Sequence, residues 1–323
     1  MPTSITRRAL GGGALALLAA PRAHAAPPDE IRIDWATYNP VSLILKDQGL
    51  LEKEFAKDNV KIRWVMSAGS NKALEFLNAG SLDFGSSAGA AALIAKVNGN
   101  PIKAIYVFSR PEWTALVTQK DSAIKAVADL KGQRVAVTRG TDPHIFLVRA
   151  LAGAGLSEKD VKLVLLQHAD GRTAMERGDV VAWAGLDPMM AAAEVESGAR
   201  LFFRKPEANT WGVLNVRESF AAESPALVRR VLGVYETARK WCLAHPAELK
   251  ASMVAATKLS DAVISRQLER TDISSGQIGA TQAATVIEAG KALQAAGVLD
   301  VSLDVAAISN GMIDPSFINA IGA

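Results

Sequence analysis

Four stretches of the chain gather glycine, hydroxyl side chains and amides in a pattern that suits a small anion. They are Tyr38-Asn39-Pro40, Ser67-Ala68-Gly69-Ser70-Asn71, Gly85-Ser86-Ser87-Ala88-Gly89 and Thr138-Arg139-Gly140-Thr141-Asp142-Pro143-His144. Each stands before a helical pattern. Free N–H groups at a helix start attract negative charge, glycine lets the backbone approach a ligand, and Ser or Thr adds a donor without charge. One such loop alone is ordinarily a helix cap. Four of them at strand ends point to binding. The candidate contacts are Tyr38, Asn39, Ser67, Ser70, Ser86, Ser87, Ala88, Gly89, Gly140, Thr141, Asp142 and His144. Asp142 ahead of Pro143 is itself an N-cap pattern, so it either faces away or leaves this loop to act through Thr141 and His144.

Further candidates lie near the middle of the chain. Arg110 can pair with an anion or lie on the surface. Trp113 and Trp211, like Trp183, can wall the apolar part of a ligand or pack the core. Asp187, in Leu186-Asp187-Pro188, reads as a strand-exit cap. His168 beside Asp170 reads as structural, and His245 ends a helix. Signatures of catalysis are missing: there is no Gly-x-Ser-x-Gly elbow, P-loop, His-Glu-x-x-His or Gly-x-Gly-x-x-Gly after a first strand. The lone Cys242 excludes an internal disulfide, a Cys-based zinc cage and an iron–sulfur centre. Its place on an apolar helix face reads as packing. No metal or cofactor is expected.

The charge balance is informative once it is located. Lys+Arg 36 against Asp+Glu 33 gives +3 over 323 residues. Residues 1–25 read as an export signal: Arg7-Arg8, the apolar stretch Gly11 to Ala20, then Ala23-His24-Ala25 for cleavage. The arginine pair resembles a twin-arginine signal; an ordinary secretory signal is the alternative. The apolar stretch is too short to span a bilayer. Arg7, Arg8 and Arg22 account for the whole excess, leaving 33 basic residues against 33 acidic. A neutral body has no footprint for nucleic acid, and the expected location is the periplasm.

These residues need a frame to hold them. Strands are expected at Ile31–Trp35, Val60–Val65, Leu82–Phe84, Ile102–Val107, Trp113–Thr118, Arg134–Val137, Val161–Leu166, Val181–Ala184, Leu201–Phe203 and Trp211–Val216. Helical stretches between them include Ala73–Asn78, Ala91–Asn98, Phe146–Ala154 and Met189–Ser197. Alternation of this kind predicts an α/β fold with mostly parallel sheets covered on both faces. After Val216 the pattern is helix after helix, beginning with Ser224 as a cap before Pro225. A short repeat, Asn78 to Gly85 and Glu176 to Trp183, suggests two similar lobes. Residues 29–110 plus 212–323 form the first and 111–211 the second. Two crossings, at Val107–Trp113 and Trp211–Val216, make a hinge and therefore a cleft.

With these residues in view, the chain resembles the periplasmic substrate-binding proteins of the aliphatic sulfonate, taurine and nitrate ABC importers. The likeness is carried by Gly49-Leu50-Leu51-Glu52, Leu74 to Gly85, Lys120 to Gly132, Ala169 to Glu194 and Ile313-Asp314-Pro315-Ser316-Phe317. It implies a type II two-lobed fold that closes on a small organic anion, foremost a sulfonate, and delivers it as a monomer to a membrane permease. It also implies contacts at Gly85–Gly89 and at Gly140, Thr141 and His144. The chain departs from the sulfonate branch at Ala88-Gly89, where Gly-Asp is common, and at Asp142, where Ser is common. These departures shift preference within the sulfonates or toward another anion such as nitrate or taurine. An enzyme of thiamine-pyrimidine type on the same scaffold is a further alternative, disfavoured by the single packed cysteine. A sensing domain is disfavoured because no DNA-binding helix pair is attached.

Overall fold

Apolar β-branched runs and amphipathic helices alternate along most of the chain, and the computed structural model, which describes residues 28–322, assembles them into two sheets. The expected export signal lies outside the described residues. The chain first lays down β1 (Glu30–Trp35), α1 (Pro40–Asp47), α2 (Leu50–Phe55), β2 (Lys61–Met66), α3 (Ser70–Asn78), β3 (Phe84–Ala88), α4 (Gly89–Val97) and β4 (Ile102–Pro111). It then crosses to β5 (Leu116–Thr118), β6 (Arg134–Val137), α5 (Asp142–Gly153), β7 (Lys162–Leu165), α6 (His168–Arg177), β8 (Ala182–Ala184), α7 (Met189–Ser197) and β9 (Arg200–Phe203). It returns through β10 (Gly212–Arg217). After that come α8 (Glu218–Glu223), α9 (Pro225–Ala244), α10 (Pro246–Thr257), α11 (Asp261–Leu268), β11 (Thr271–Asp272), α12 (Ala280–Ala295), α13 (Val305–Met312) and α14 (Ser316–Asn319).

The first sheet has the order β11-β4-β10-β3-β1-β2 and the second β7-β6-β8-β5-β9. The two share one plan, since β2-β1-β3-β10-β4 corresponds step for step to β7-β6-β8-β5-β9. In each, the fourth strand has just arrived from the other lobe and the fifth is about to leave for it. The faint sequence repeat follows from this plan. Gly80 (φ 67°) and Gly178 (φ 80°) both end a helix in the left-handed region ahead of β3 and β8.

The expectation of mostly parallel sheets needs correction. Pairs β1–β2, β1–β3, β6–β7 and β6–β8 are parallel, but β10 runs antiparallel to β3 and β4, β11 to β4, and β5 to β8 and β9. Crossing imposes this, because a strand that enters a lobe and one that leaves it through the same side must point in opposite directions. Boundaries also shift. β3 extends to Ala88, so Ser86 and Ser87 belong to a strand and not to a loop. β5 starts at Leu116, which leaves Trp113 in the crossing. Ser224 precedes α9, yet its hydroxyl makes no capping bond.

Most of the core belongs to the first lobe, from Ile31 and Ile33 through Phe84 and Phe108 to Tyr235 and Cys242. Two smaller apolar patches clamp the lobes together. One joins Ile145 and Val148 of α5 to Ala90, Ala289 and Leu293; the other joins Ala191 and Ala192 of α7 to Val263 of α11.

The strands that carry the first-lobe loops are pinned by one buried acid. Asp83, ahead of β3, accepts from the Arg32 backbone N–H at 2.9 Å and from the Arg32 guanidinium at 3.0 and 2.7 Å. Arg217, at the end of β10, adds a further bond at 2.7 Å. Removing the acid strands two guanidiniums at a partly buried site. Replacing Asp83 by Ala is therefore expected to lower stability by about 3 kcal/mol, read as an earlier midpoint in chemical denaturation. An unshifted midpoint would show that the pin is dispensable.

Candidate functional site

The loops of both lobes meet around one enclosed space. Tyr38, Ser70 and Ala88 face Thr141, Asp142, Pro143 and Leu186, with Trp113 of the first crossing beside them, about a volume of only 10 Å³. That is room for about one water molecule, so the lobes are shut. Six of the expected contacts converge here: Tyr38, Ser70, Ala88, Trp113, Thr141 and Asp142. Larger cavities lie elsewhere and have other linings. An apolar groove of about 710 Å³ between α5, β9 and α12 contains none of the expected contacts. Arg110 and Trp211 line a separate cavity of about 370 Å³ with Glu207, Thr281 and Thr285. There the exposed Arg110 guanidinium sits 5.3 Å from the Trp211 ring centroid.

Asp142 ties the site to the hinge. The residue before it, Thr141, occupies the N-cap position of α5, without a side-chain capping bond. The Asp142 carboxylate instead accepts from Trp113 Nε1 at 2.9 Å, from the Thr210 N–H at 3.0 Å and from Thr210 Oγ1 at 2.8 Å. Trp113 stands on the first crossing and Thr210 on the second. Thr210 Oγ1 also accepts from the Ala90 N–H at 3.1 Å, which reaches the head of α4. A second link joins the crossings where the Thr114 N–H donates to Asn209 Oδ1 at 3.0 Å. Burial raises the Asp142 pKa despite these donors.

In the first lobe, several expected contacts turn toward one another. Asn39 Oδ1 accepts from the Ser42 N–H and caps α1, while its amide donates to Ser86 Oγ at 2.9 Å. Ser86 Oγ donates to Asp34 at 2.9 Å, and the Ser86 N–H is shared between both Asp34 oxygens. Tyr38 donates to Ser86 O at 3.0 Å, and Ser87 donates to Ala88 O while accepting from Asn215. A hydroxyl has one proton to give, and these are committed. Thr141 likewise spends its proton on Thr138 O. Ser70 Oγ only accepts, from the Ala88 N–H at 3.0 Å, and the buried Ser67 Oγ meets no full hydrogen-bond geometry among the described residues but sits close enough to Asp34 to favour its anion.

The helix starts divide in the same way. At α4, the Gly89 N–H bonds to Trp211 O and the Ala90 N–H to Thr210, so the second crossing has taken both donors. At α5, Pro143 lacks an N–H, and the His144 and Ile145 N–H groups turn back to Thr141 O. At α3, the Lys72 and Ala73 N–H groups bond Gly69 O, leaving those of Ser70 and Asn71 without an intrahelical acceptor. Of the four helix starts, α3 keeps the N–H groups of two consecutive residues, Ser70 and Asn71, without an acceptor.

Other expected contacts are placed away from the enclosed space. His144 Nε2 lies 2.8 Å from Glu158 Oε1, within the second lobe. Gly140 (φ 76°) takes the left-handed turn that brings its backbone against Asn71 of the first lobe. Asp187 accepts from the Ala191 N–H at 2.9 Å, as a cap would, and also takes a bidentate pair from Arg270 at 3.0 and 2.8 Å. Arg270 reaches Glu194 as well, at 2.6 Å, so it bolts α11 to α7 across the lobes. Sequence reasoning missed Asp34, Thr210, Arg270 and the buried face of His168. An acid inside the apolar run of β1 was the available signal for Asp34; the others show themselves through tertiary contact alone.

Burial pushes Asp34 up to about 6, against the bonds from Ser86 that favour its anion. A raised carboxyl contributes stability that is complete below about pH 4 and lost as pH rises through 6, about 3 kcal/mol in all. The Asp34→Asn variant, which cannot ionise, is expected to gain that amount relative to the parent between pH 4 and 7 in urea unfolding. Parallel pH profiles for the two proteins would refute the assignment.

Comparison with known proteins adds the lineage. A family model described as NMT1/THI5 like matches residues 54–249, more than half of the chain. A protein of Escherichia coli (strain K12) named for aliphatic sulfonate binding is 32% identical over 213 residues, 65% of this chain and 66% of that one. The match thus spans just under two thirds of that relative's length. The alkanesulfonate-binding protein SsuA from Xanthomonas axonopodis pv. citri, bound to MOPS, superimposes with a TM-score of 0.80 at 28% identity, over 88% of this chain and 99% of that one. The periplasmic aliphatic sulphonate binding protein SsuA from Escherichia coli gives 0.73 at 28% identity, over 86% and 91%. The matched region takes in both crossings and strands of both sheets, and this chain belongs to the NMT1/THI5-like family.

Proposed function

We propose that this chain is the solute-binding component of an ABC importer. It captures a small organosulfonate between its lobes in the periplasm and, as a monomer, delivers it to the membrane permease. The observation that carries this reading is the convergence of loops from both lobes and a crossing on one enclosed space. The likeness to an alkanesulfonate-binding protein over 99% of that protein's length supports it. Open N–H groups at the head of α3, with the Ser70 hydroxyl, supply local attraction for the anion. Trp113, Tyr38 and Leu186 supply walls for an apolar tail. Opening about the crossings admits the solute, and a ligand gripped by both lobes favours the closed form that the permease recognises. Chemistry in place of binding is disfavoured by Cys242, which is buried in the core and whose thiol burial pushes up to about 12.

A thermal-shift panel of short alkanesulfonates, taurine, nitrate and sulfate tests the reading. Millimolar alkanesulfonate is expected to raise the melting midpoint by several degrees, the shift that follows when ligand exceeds Kd by about a hundredfold. No stabilisation by any sulfonate would sink it.

A further inference from the structure

The second lobe presents a buried ring nitrogen to the first lobe. His168 opens α6 and is 4% exposed. Its Nδ1 lies 3.2 Å from Thr138 Oγ1. The Thr138 hydroxyl has one proton, and it goes to Leu166 O at 2.7 Å, because a carbonyl oxygen can only accept. Nδ1 is therefore the donor to Thr138, and in the neutral ring Nε2 is left as a bare acceptor. Burial keeps the ring neutral, lowering its pKa to about 3. Nε2 has no partner among the described residues.

That nitrogen points at the loop that holds the open donors. It lies 2.9 Å from where a Cβ on Gly69 would stand, and Asn71 Oδ1, also buried and unpartnered, lies 3.0 Å from the same point. The two are thus within about 6 Å of each other across the lobe boundary. Gly69 has an extended φ of 170°, so its torsion does not call for glycine. A side chain there would press on both polar atoms, so glycine is what lets the ring nitrogen and the amide oxygen pack against this loop. Gln167 Oε1, beside His168, is buried and unpartnered too. An amide can present either end to a ligand; His168, fixed by Thr138, can only accept.

We infer that His168 Nε2 is a specificity-determining acceptor that closes onto a hydrogen-bond donor carried by the solute, so that the preferred ligand is a short organosulfonate bearing a hydroxyl or amino group. The inference rests on the reading of the cleft as a sulfonate site. The sulfonate is placed by this inference at the Ser70 and Asn71 N–H groups, and its donor-bearing substituent is directed across the lobe boundary to His168. A plain alkanesulfonate leaves the nitrogen buried and unsatisfied, which is the unfavourable case.

Isothermal titration of the purified protein at pH 7 with 2-hydroxyethanesulfonate, 2-aminoethanesulfonate and ethanesulfonate tests this. At least one donor-bearing ligand is expected to bind about tenfold more tightly than ethanesulfonate, the worth of one good hydrogen bond. The two donor-bearing arms tell hydroxyl from ammonium. His168→Phe, which keeps a ring without an acceptor, is expected to bring the ratio close to one, by weakening the donor-bearing ligands and by relieving the unsatisfied nitrogen that penalises ethanesulfonate. His168→Gln, which offers a carbonyl oxygen, is expected to restore part of it. Ethanesulfonate binding as tightly as both others overturns the inference and leaves the sulfonate site standing; no binding by any of the three overturns both. A preference that survives in His168→Phe also overturns it. Should that variant fail to fold, the parent ratio and the Gln variant decide.

Discussion

The Asp142 carboxylate is held by donors from Trp113 and Thr210, one on each of the two chain segments that join the sheets. An acid without a cation in contact is costly to bury unless its lone pairs are satisfied. Here their satisfaction depends on the two segments lying side by side. The angle between the lobes and the solvation of this one acid are therefore a single variable. Thr210 extends the coupling to α4 through Ala90, so a helix of each lobe answers to the same group. The donors that would otherwise serve an anion at α4 are consumed in the process. The N–H groups of Ser70 and Asn71, at the head of α3, are left uncommitted.

Around that tie, the electrostatics are settled internally. Arg270 faces Asp187 and Glu194 across the lobes, and Asp83 faces Arg32 and Arg217 within the first. The side chains lining the enclosed space include no lysine or arginine. Attraction confined to backbone N–H and hydroxyl groups fits the capture and release of a solute proposed above.

The fold was legible because its signals are local. β6 and α7 lie where periodicity puts them, residue for residue, and two crossings follow from strands adjacent in sequence without a helix between them. What periodicity does not encode is strand direction across a hinge, hence the mixed sheets. The site was legible as a set of loops, but the state of each donor was not. Ser86 and Thr141 were chosen for hydroxyls whose protons turn out to be committed to Asp34 and Thr138. Asp142 was recognised as anomalous, yet its partners lie 29 and 68 residues away. His168 shows the same limit. Nothing near it in sequence reveals that Thr138, just past the end of the neighbouring strand β6, dictates which nitrogen carries its proton.

The position of β10 has a consequence for synthesis. It lies between β4 and β3, yet it is made after the whole second lobe. Until Arg217 has left the ribosome, the first sheet lacks its central joint, and β4 has no neighbour on that side. The second sheet, built wholly from residues 116–203, has no such dependence. The usual order, in which the N-terminal unit is finished first, is reversed here: the interior of the sequence completes its sheet while the beginning waits.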